Sequence, residues 1–591
     1  MALNKTTLHS FRFAAILLVG AALRFWHLDT KPLWMDEVLT AIFSLGRSYD
    51  DIPTQEFFAI ADLQQLFTVQ VGVSCPQITK TVATESVHPP LFFCLLHGWM
   101  SWLKPGADDW IWALRALPAL FGVGAIAAIY WLNRIAFSAT AGLLAAALMA
   151  VSPFAVYLSQ EARHYTLPML LITLALVGLV QMQQDIQHRQ VCPWVWLGWV
   201  GVNVLALYTH YFCILALIAQ VVAFGGWMLW RRVPAKAMTL FGLAVVVVGL
   251  SYLPWLSTVM SHFSRPETDW LTPQDPTWLT RLAPIYQTLV GWMLMVIALP
   301  IQDEHWAIAL FVIAVIGLFL VWLVRQAVQG AKQQWQQPSS RSALVLIAGF
   351  TACVVAQFFA IAYGLDKDIT AVPRYNFVYY PGMCALLGVC LASLKGGVFP
   401  AQPKLLRLPY LLKPGSGLLQ APSRRWAIVL MAGFLSSLLV VQGWVLQKSY
   451  NPDEVAEDVL LYPAEPLIVV TNYRSLQEIA LGLSIALELQ THDSYIAEID
   501  QRVHPDVGAI APDLSMRFGF LDRRPQTDPP RLTLAQMTQP LPLPLRLWVV
   551  SPESRRQDFP PHLRLANTNS LCTRDPEEYH RLGFPYQLYR C

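Results

Sequence analysis

Long apolar runs separated by short polar stretches make up most of the chain before residue 447. A helix needs about 20 predominantly apolar residues to cross the hydrocarbon core of a bilayer. Runs near that length lie at residues 11–28, 111–132, 139–158, 165–182, 194–212, 213–230, 237–258, 305–324, 343–363, 375–394 and 426–446. The pattern predicts an all-α polytopic membrane protein with about eleven spans.

Two further apolar segments are ambiguous: 89–103 is short, and 279–302 contains Pro284. If neither crosses the bilayer, the basic linker 395–425 falls on the same side as the amino terminus. An excess of Lys and Arg marks the cytoplasmic side. We therefore expect both segments on the outer face, as interfacial or re-entrant helices. If both crossed, the count would be thirteen spans and the two chain ends would keep their sides.

Beyond the last span the composition becomes that of a soluble domain. Strand-like segments at 466–472 and 545–550 flank a helical pattern at 474–489, which predicts a small α/β domain. We therefore expect a transmembrane domain, 1–446, followed by an extracytoplasmic domain, 447–591. The first outer loop of the transmembrane domain runs from about 27 to 110.

The cysteines give one candidate crosslink. Cys572 and Cys591 are the only cysteines of the predicted C-terminal domain. An extracytoplasmic compartment permits a disulfide between them, and two free thiols are the alternative. The nine cysteines of the chain include no CxxC pair and no Cys/His spacing of the zinc-site type, so the cysteine pattern does not predict a structural metal site.

Composition narrows the functional class. Of the 591 residues, 55% are hydrophobic and 13% are charged, whereas soluble domains carry about 25% charged residues. An ordinary soluble enzyme is thereby excluded. The net charge of +3 gives no reason to expect a nucleic-acid partner. The pattern predicts a multi-pass protein of the cytoplasmic (inner) membrane, with a cytoplasmic amino terminus and a periplasmic or otherwise extracytoplasmic C-terminal domain.

An adjacent acidic pair, Asp36 and Glu37, follows the first span at the predicted membrane edge. A partly desolvated carboxylate there can act as a general base toward an acceptor hydroxyl. The pair can also hold a divalent cation, Mg²⁺ or Mn²⁺. The alternative is structural: Asp36 caps a helix that begins at Glu37.

Other polar side chains fall at the predicted outer ends of the spans. Polar groups between apolar helices are costly unless they are paired or line a cavity, which makes them functional candidates. Those candidates are Glu85, His88, Glu161, Arg163, His164, Tyr165, His210, Arg374 and Tyr375. A guanidinium is well suited to a lipid phosphate. The alternatives are a Glu161–Arg163 ion pair, an interface histidine at His210, and an Arg374 that reaches ordinary phospholipid headgroups.

Several separated motifs occur in a fixed order. They are Leu33-Trp34-Met35-Asp36-Glu37, His88-Pro89-Pro90-Leu91, Leu114-Arg115-Ala116-Leu117-Pro118, Ser152-Pro153 followed by Ser159-Gln160-Glu161-Ala162-Arg163, and Arg374-Tyr375. In this order they resemble the GT-C glycosyltransferases, in particular the family 39 and Rgt-like group that includes protein O-mannosyltransferases and lipid A aminoarabinose transferases. The resemblance covers roughly the first 180 residues closely and the rest by topology.

The resemblance implies a membrane enzyme that transfers a sugar from a polyprenyl-phosphate carrier to an extracytoplasmic acceptor, with inversion at the anomeric carbon. The acceptors of such enzymes include glycolipids, polysaccharides and proteins. The resemblance assigns Asp36 to acceptor activation and Glu37 to support or cation binding. It assigns Arg374 and Arg163, with Tyr375 beside them, to the donor phosphate.

Three other interpretations stay open at this stage. An oligosaccharide ligase that uses a lipid pyrophosphate would keep the fold and change the donor. A flippase or transporter of lipid-linked sugars would favour internal repeats and charges near mid-membrane, and the chain shows neither. A membrane scaffold whose tail binds partners would leave the ordered motifs unexplained.

Overall fold

The structure is a computed structural model that describes residues 5–265, 271–272, 277–301, 305–394, 425–461, 466–503, 516–523, 543–552, 554–564 and 571–591. The chain folds into two compact units. The first, here called the helical unit, comprises Met1–Leu28, Val87–Pro89 and Pro118–Leu446. The second, here called the sheet unit, comprises Asp29–Ser86, Pro90–Leu117 and Gln447–Cys591. Most of the first outer loop thus belongs to the same unit as the C-terminal tail.

A helix occupies each of the eleven predicted spans. The helices of the helical unit are Lys5–Phe25, the part of Trp110–Ala136 from Pro118 onward, Ala139–Ala150, Pro153–Ser159, Thr166–Gln187, Pro193–Leu207, Cys213–Trp230, Ala235–Ser251, Leu253–Phe263, Trp278–Leu294, Trp306–Trp335, Pro338–Gly364, Tyr380–Ser393 and Arg425–Val441. Six helices in the described chain are long and apolar enough to cross a membrane, and the number rises to eight if each bent pair counts as one span.

The remaining three predicted spans correspond to the shorter apolar helices Pro193–Leu207, Tyr380–Ser393 and Arg425–Val441. A multi-pass membrane protein is therefore confirmed, and the count of eleven stays a prediction. The two ambiguous segments contain the helices Leu91–Leu103 and Trp278–Leu294. Their interfacial placement stays a prediction as well.

The third predicted span is bent rather than straight. Ala139–Ala150 and Pro153–Ser159 meet at 60°, because Pro153 cannot continue a helix and Ser152 starts the next one by accepting a hydrogen bond from the Ala155 N–H. The break leaves carbonyl groups without intrahelical partners. Arg24, fully buried, donates to the carbonyls of Met149 (2.9 Å) and Ala150 (3.1 Å). The seventh predicted span is bent in the same way, by 63°.

The sheet unit is built around one seven-stranded sheet of order β1-β3-β2-β4-β7-β6-β5. Its strands are β1 (Phe58–Ala59), β2 (Leu467–Tyr473), β3 (Arg517–Asp522), β4 (Arg546–Val550), β5 (His562–Arg564), β6 (Leu571–Leu582) and β7 (Phe584–Arg590). β2 runs parallel to β3 and β4, and the other described pairs are antiparallel. The predicted C-terminal sheet domain is therefore confirmed.

Helices and a strand from the first outer loop complete the sheet unit. Its helices are Met35–Ser44, Leu63–Leu66, Cys75–Glu85, Leu91–Leu103, the start of Trp110–Ala136, Pro452–Leu460 and Leu476–Val503. β1 comes from the same loop and pairs with β3, Phe58 opposite Phe518. Ile468 and Val470 of β2 and Leu547 of β4 belong to one buried hydrophobic cluster. Sequence patterns did not reveal β1, because a two-residue strand has no periodicity.

The cysteines divide between the two units. Cys75–Cys94 and Cys572–Cys591 are disulfides, and all four residues lie in the sheet unit. The five free cysteines, Cys192, Cys213, Cys353, Cys384 and Cys390, lie in the helical unit. Of the two alternatives for Cys572 and Cys591, the structure contains the disulfide. The Cys75–Cys94 bond was not predicted, because Cys94 lies in an apolar run where cysteine usually acts as a small hydrophobe.

Thiol counting tests this division. Iodoacetamide added to the unfolded, unreduced protein should modify five cysteines, and after reduction it should modify all nine. Peptide mass spectrometry measures both numbers, and the reduced sample serves as the control for complete labelling. Modification of Cys75, Cys94, Cys572 or Cys591 before reduction would contradict the structure.

Candidate active site

The helix Met35–Ser44 carries Asp36 and Glu37 in its first turn. The residue before the helix is Trp34, and no side chain caps the helix there. The alternative in which Asp36 caps a helix beginning at Glu37 is therefore wrong. A carboxylate in a first turn is stabilised by the unpaired backbone N–H groups and the helix dipole.

Glu37 is held in a buried ion pair with Arg115. The Nε and Nη2 atoms of Arg115 donate to the two carboxylate oxygens of Glu37, each at 2.8 Å. Both residues are 1% exposed. Arg115 also donates to the carbonyls of Lys31 (2.8 Å) and Pro32 (3.0 Å). One guanidinium thus joins the first turn of the helix to the segment that leads into it.

This ion pair bears on the hypothesis of Mg²⁺ or Mn²⁺ at Asp36 and Glu37. Both oxygens of Glu37 already accept from a cation, which leaves them poor ligands for a second one. Within the described residues, the single group of three or more potential metal ligands lies elsewhere and contains neither carboxylate. The acidic pair does not fit a divalent cation, and we derive no step through one.

Asp36 is half-buried beside residues that follow the last predicted span. The hydroxyl of Tyr450 accepts a hydrogen bond from the backbone N–H of Met35 at 2.6 Å. Burial raises the pKa of Tyr450 well above its usual value, and the charge of Asp36 adds to the effect. The ammonium of Lys448 lies 3.9 Å from the centre of the Trp34 ring. Asp36 therefore lies near a phenol that stays protonated and close to a segment that carries an ammonium group.

Lys448 and Tyr450 were not among the predicted site residues. The sequence did contain a signal, because a basic residue and a tyrosine directly follow the last apolar run and would lie at the membrane edge. That signal places the two residues at a boundary but does not say what they contact. Their position beside Trp34 and Met35 depends on the fold of the sheet unit.

Glu85 lies at the end of the helix Cys75–Glu85, in the sheet unit. Its Oε2 accepts a hydrogen bond from the backbone N–H of Tyr49 at 2.9 Å. Burial raises the pKa of Glu85, and the charges of Asp50 and Asp51 contribute to the same direction. This carboxylate joins the end of one helix to the turn Tyr49–Asp51.

The helical unit brings three predicted histidines together. The ring centres of His88 and His164 are 4.9 Å apart, and those of His164 and His210 are 4.7 Å apart. They come from three distant segments: His88 precedes two prolines, and the other two lie in short breaks between helices. Tyr165 and Tyr375 lie beside them, with ring centres 5.9 and 6.3 Å from that of His210.

Two arginines accompany the histidines. The Nη2 of Arg163 lies 3.5 Å from the Nε2 of His88, and its Cζ is 5.7 Å from the centre of the Tyr165 ring. The Cζ of Arg374 is 6.0 Å from the centre of the Tyr375 ring. Arg374 acts electrostatically on His88 and His164. We call the set His88, Arg163, His164, Tyr165, His210, Arg374 and Tyr375 the basic cluster.

The histidines of the basic cluster are neutral. Burial lowers the pKa of His88 and His164 well below the usual value, and the charge of Arg163 adds to the effect at both. The Nδ1 of His210 accepts a hydrogen bond from the backbone N–H of Phe212 at 3.0 Å, so the ring carries its proton on Nε2. Neutral imidazoles can donate to an oxyanion, and the two guanidinium groups supply the positive charge.

The predicted site residues divide between the units. Asp36, Glu37 and Glu85 belong to the sheet unit, and the basic cluster belongs to the helical unit. Glu161 is buried two residues before Arg163 in the helical unit, and its carbonyl accepts from the Arg163 N–H at 2.7 Å. Sequence reasoning missed His262, whose Nδ1 lies 2.6 Å from the hydroxyl of Tyr211 and which helps to lower the pKa of His88.

Removing Arg115 tests the buried ion pair. Arg115→Met leaves the Glu37 carboxylate buried without its partner, which should lower the free energy of unfolding by about 3–5 kcal/mol. The double variant Glu37→Leu with Arg115→Met should recover a large part of this loss. Thermal unfolding of the detergent-solubilised protein measures both.

Arg590→Met is the control for that experiment, because it breaks an ion pair with Asp575 whose arginine side chain is 56% exposed. It should cost less than about 1 kcal/mol. If Arg115→Met melted like Arg590→Met, the ion pair would not hold the first turn of the helix Met35–Ser44.

Residues 87–255 match the sequence family described as dolichyl-phosphate-mannose-protein mannosyltransferase. The fold is similar to the crystal structure of ArnT from Cupriavidus metallidurans bound to undecaprenyl phosphate. The two chains share 13% sequence identity, 99% of this chain and 98% of that chain are covered, and the TM-score is 0.50. No curated protein matches the chain closely in sequence.

A more distant likeness is to the archaeal oligosaccharyltransferase AglB from Archaeoglobus fulgidus in complex with an inhibitory peptide and a dolichol-phosphate. Identity is 12%, 83% of this chain and 64% of that chain are covered, and the TM-score is 0.43. The resemblance to the GT-C glycosyltransferases is thus confirmed, and with it the prediction of an enzyme. The fold is similar to that of the GT-C glycosyltransferases.

Proposed function

We propose that the protein transfers a sugar from a polyprenyl-phosphate-sugar donor to an acceptor outside the cytoplasm, with inversion at the anomeric carbon. The observation that carries the proposal is the basic cluster. It combines two guanidinium groups with three neutral imidazoles among helices long and apolar enough to cross a bilayer. A lipid-borne phosphate is an anion that reaches such a place from the bilayer.

The similar fold of ArnT supports this donor class. That protein is described as bound to undecaprenyl phosphate, and its fold matches nearly the full length of this chain. The family match over residues 87–255 includes His88, Arg163, His164, Tyr165 and His210 of the basic cluster. The match therefore falls on the part of the chain to which we assign the donor phosphate.

The departing phosphate is the group that needs stabilisation. As the bond between the anomeric carbon and the phosphate oxygen breaks, positive charge develops on the sugar and negative charge on the phosphate. Arg374 and Arg163 meet that negative charge, and their planar forks suit phosphate oxygens. Removing one well-placed donor of this kind costs about 3–4 kcal/mol of transition-state stabilisation. Neutral histidines add donors without repelling the guanidinium groups.

Asp36 is the base in this proposal. It accepts the proton of the acceptor hydroxyl while the hydroxyl oxygen bonds to the anomeric carbon on the face opposite the phosphate, so the configuration inverts. The bond to the phosphate oxygen breaks and its electron pair leaves with the polyprenyl phosphate. Glu37, held by Arg115, fixes the turn that carries Asp36. Tyr450 stays protonated and does not compete as a base.

The two disulfides support an extracytoplasmic location for the sheet unit. Disulfides persist in oxidising compartments and are rare in the cytosol, and the four cysteines concerned all lie in this unit. We therefore place the sheet unit on the outer side of the cytoplasmic membrane. Nucleotide sugars do not reach that side, so a lipid-linked donor fits the location.

Arg374→Lys tests the phosphate assignment. The substitution keeps the charge but loses the two-pronged donor geometry, and hydrogen bonds to charged groups contribute about 1.5–3 kcal/mol. The affinity for a polyprenyl phosphate should therefore fall by about 10- to 100-fold. Tryptophan fluorescence during titration with polyprenyl phosphate in detergent micelles measures it. Arg231→Lys, at an exposed arginine of the helical unit, is the matched control. Unchanged affinity in Arg374→Lys would exclude Arg374 from phosphate binding.

Asp36→Asn tests the base. It removes the proton acceptor and keeps the size of the side chain, so release of polyprenyl phosphate from the sugar donor should fall by at least about 100-fold. Binding of polyprenyl phosphate and the melting temperature should stay as in the wild type. Asp62→Asn, at an exposed carboxylate of the sheet unit, should leave all three quantities unchanged. Wild-type turnover in Asp36→Asn would rule out this role.

A further inference from the structure

Three potential metal ligands converge in the sheet unit, outside the residues considered so far. Asp453 lies in the first turn of the helix Pro452–Leu460. Glu488 and His492 lie on the helix Leu476–Val503. One donor atom from each of the three side chains lies within 4.8 Å of the others. The Nε2 of His492 is 2.7 Å from Oδ1 of Asp453.

The spacing along the helix places two of these ligands on one face. Residues four apart on a helix lie one above the other, so Glu488 and His492 point in the same direction. Asp453 approaches them from a separate helix that packs against the first. Two carboxylates and one imidazole form a mixed oxygen and nitrogen set, which suits Zn²⁺ and leaves a fourth position for water.

Glu488 provides the second observation. It is partly buried, and its carboxylate accepts no hydrogen bond from any residue that the structure describes. The negative charge of Asp453 acts on it, and the positive groups that act on it are His492 and Arg115. The guanidinium of Arg115 is already committed to Glu37 and two carbonyls. A desolvated carboxylate beside a second one is costly unless a proton or a cation neutralises it.

We propose that Asp453, Glu488 and His492 bind one Zn²⁺ ion that joins the helices Pro452–Leu460 and Leu476–Val503. The ion links the two helices through partly buried side chains. This site is separate from the acidic pair Asp36 and Glu37, which does not fit a cation.

The helix Leu476–Val503 connects the proposed zinc site to the helix that carries Asp36. Ser484, Glu488 and His492 follow one another at four-residue steps on one face of the same helix. The Oγ of Ser484 lies 3.4 Å from the hydroxyl of Tyr450, which accepts from the Met35 N–H. The helix Leu476–Val503 also packs directly on Met35–Ser44. A metal ion that holds the helix Leu476–Val503 in place therefore also supports the helix Met35–Ser44, which carries Asp36.

Metal content tests the proposal on the full-length purified protein. After treatment with EDTA, incubation with ZnCl₂ and removal of free metal, elemental analysis should find one zinc per chain. The melting temperature should rise with Zn²⁺ concentration, since a ligand that binds only the folded state stabilises it. Mg²⁺ and Ca²⁺ at the same concentrations should raise it less, because they prefer sites built from oxygen ligands.

Variants localise the ion. Loss of a residue that contacts a metal ligand typically lowers the metal affinity by about 10- to 100-fold. Glu488→Gln and His492→Asn each change a ligand itself, so each should lower the Zn²⁺ affinity by more than that. Glu457→Gln is the matched control, because Glu457 is an exposed carboxylate one turn after Asp453 on the same helix. Wild-type zinc content in Glu488→Gln and His492→Asn, or no zinc in the EDTA-treated wild type after incubation with ZnCl₂, would overturn the proposal.

Cobalt substitution keeps the test valid if a variant loses stability. Co²⁺ in a site with oxygen and nitrogen ligands absorbs visible light, and the absorption reports ligation rather than folding. The wild type and Glu457→Gln should show the bands, while Glu488→Gln should lack them with an unchanged far-ultraviolet circular dichroism spectrum. Bands of wild-type intensity in Glu488→Gln would contradict the site. None of these readouts uses sugar transfer, so a negative result leaves the proposed donor chemistry untouched.

Discussion

The buried ion pair between Glu37 and Arg115 is the interaction on which the candidate active site depends. It takes two charges out of water, and only a two-pronged geometry with further hydrogen bonds compensates for that cost. Arg115 meets both conditions, because it reaches both oxygens of Glu37 and two backbone carbonyls. Arg115 thereby anchors the first helical turn, which also carries the adjacent Asp36. An apolar pair of the same volume could stabilise the fold but could not also fix the backbone of Lys31 and Pro32.

The charges of the molecule are separated according to the steps of the proposed reaction. The sheet unit contributes the carboxylate of Asp36 in the first turn of a helix. The helical unit contributes guanidinium groups and histidines that burial keeps neutral. In a poorly hydrated environment, fixed groups of this kind interact with developing charge more strongly than water does. Each unit therefore carries groups that suit one part of the proposed reaction: the carboxylate suits uptake of a proton, and the guanidinium groups suit a departing phosphate.

The sequence predicted what depends on local patterns. Hydropathy located the apolar helices, and the ordered motifs drew attention to Asp36, Arg163 and Arg374. It could not predict that Arg115, inside an apolar run, pairs with Glu37, because the two are 78 positions apart and only the fold brings them together. The same applies to Lys448 and Tyr450. The sequence also suggested a metal ion at the acidic pair Asp36 and Glu37, where Arg115 already neutralises Glu37.

Sheet pairing shows the same division between local and long-range information. The strand-like segments at 466–472 and 545–550 identified β2 and β4, which pair directly with each other. β1 is short and comes from a loop more than 400 positions before its partner β3. The first outer loop and the tail therefore fold as one unit for reasons that no local pattern expresses. The disulfide Cys75–Cys94 lies in that loop. It was not predicted because Cys94 lies within an apolar run of the sequence.

The identity of the lipid product is the most direct test of the central claim, which is that a polyprenyl-phosphate sugar is the donor. Purified protein in lipid nanodiscs is incubated with a panel of polyprenyl-phosphate sugars and with matching polyprenyl-pyrophosphate sugars, and the lipid released is identified by mass spectrometry. The account predicts free polyprenyl phosphate from one monophosphate donor and no turnover of the pyrophosphate lipids. Release of polyprenyl pyrophosphate, with the monophosphate donors bound but unreacted, would contradict it.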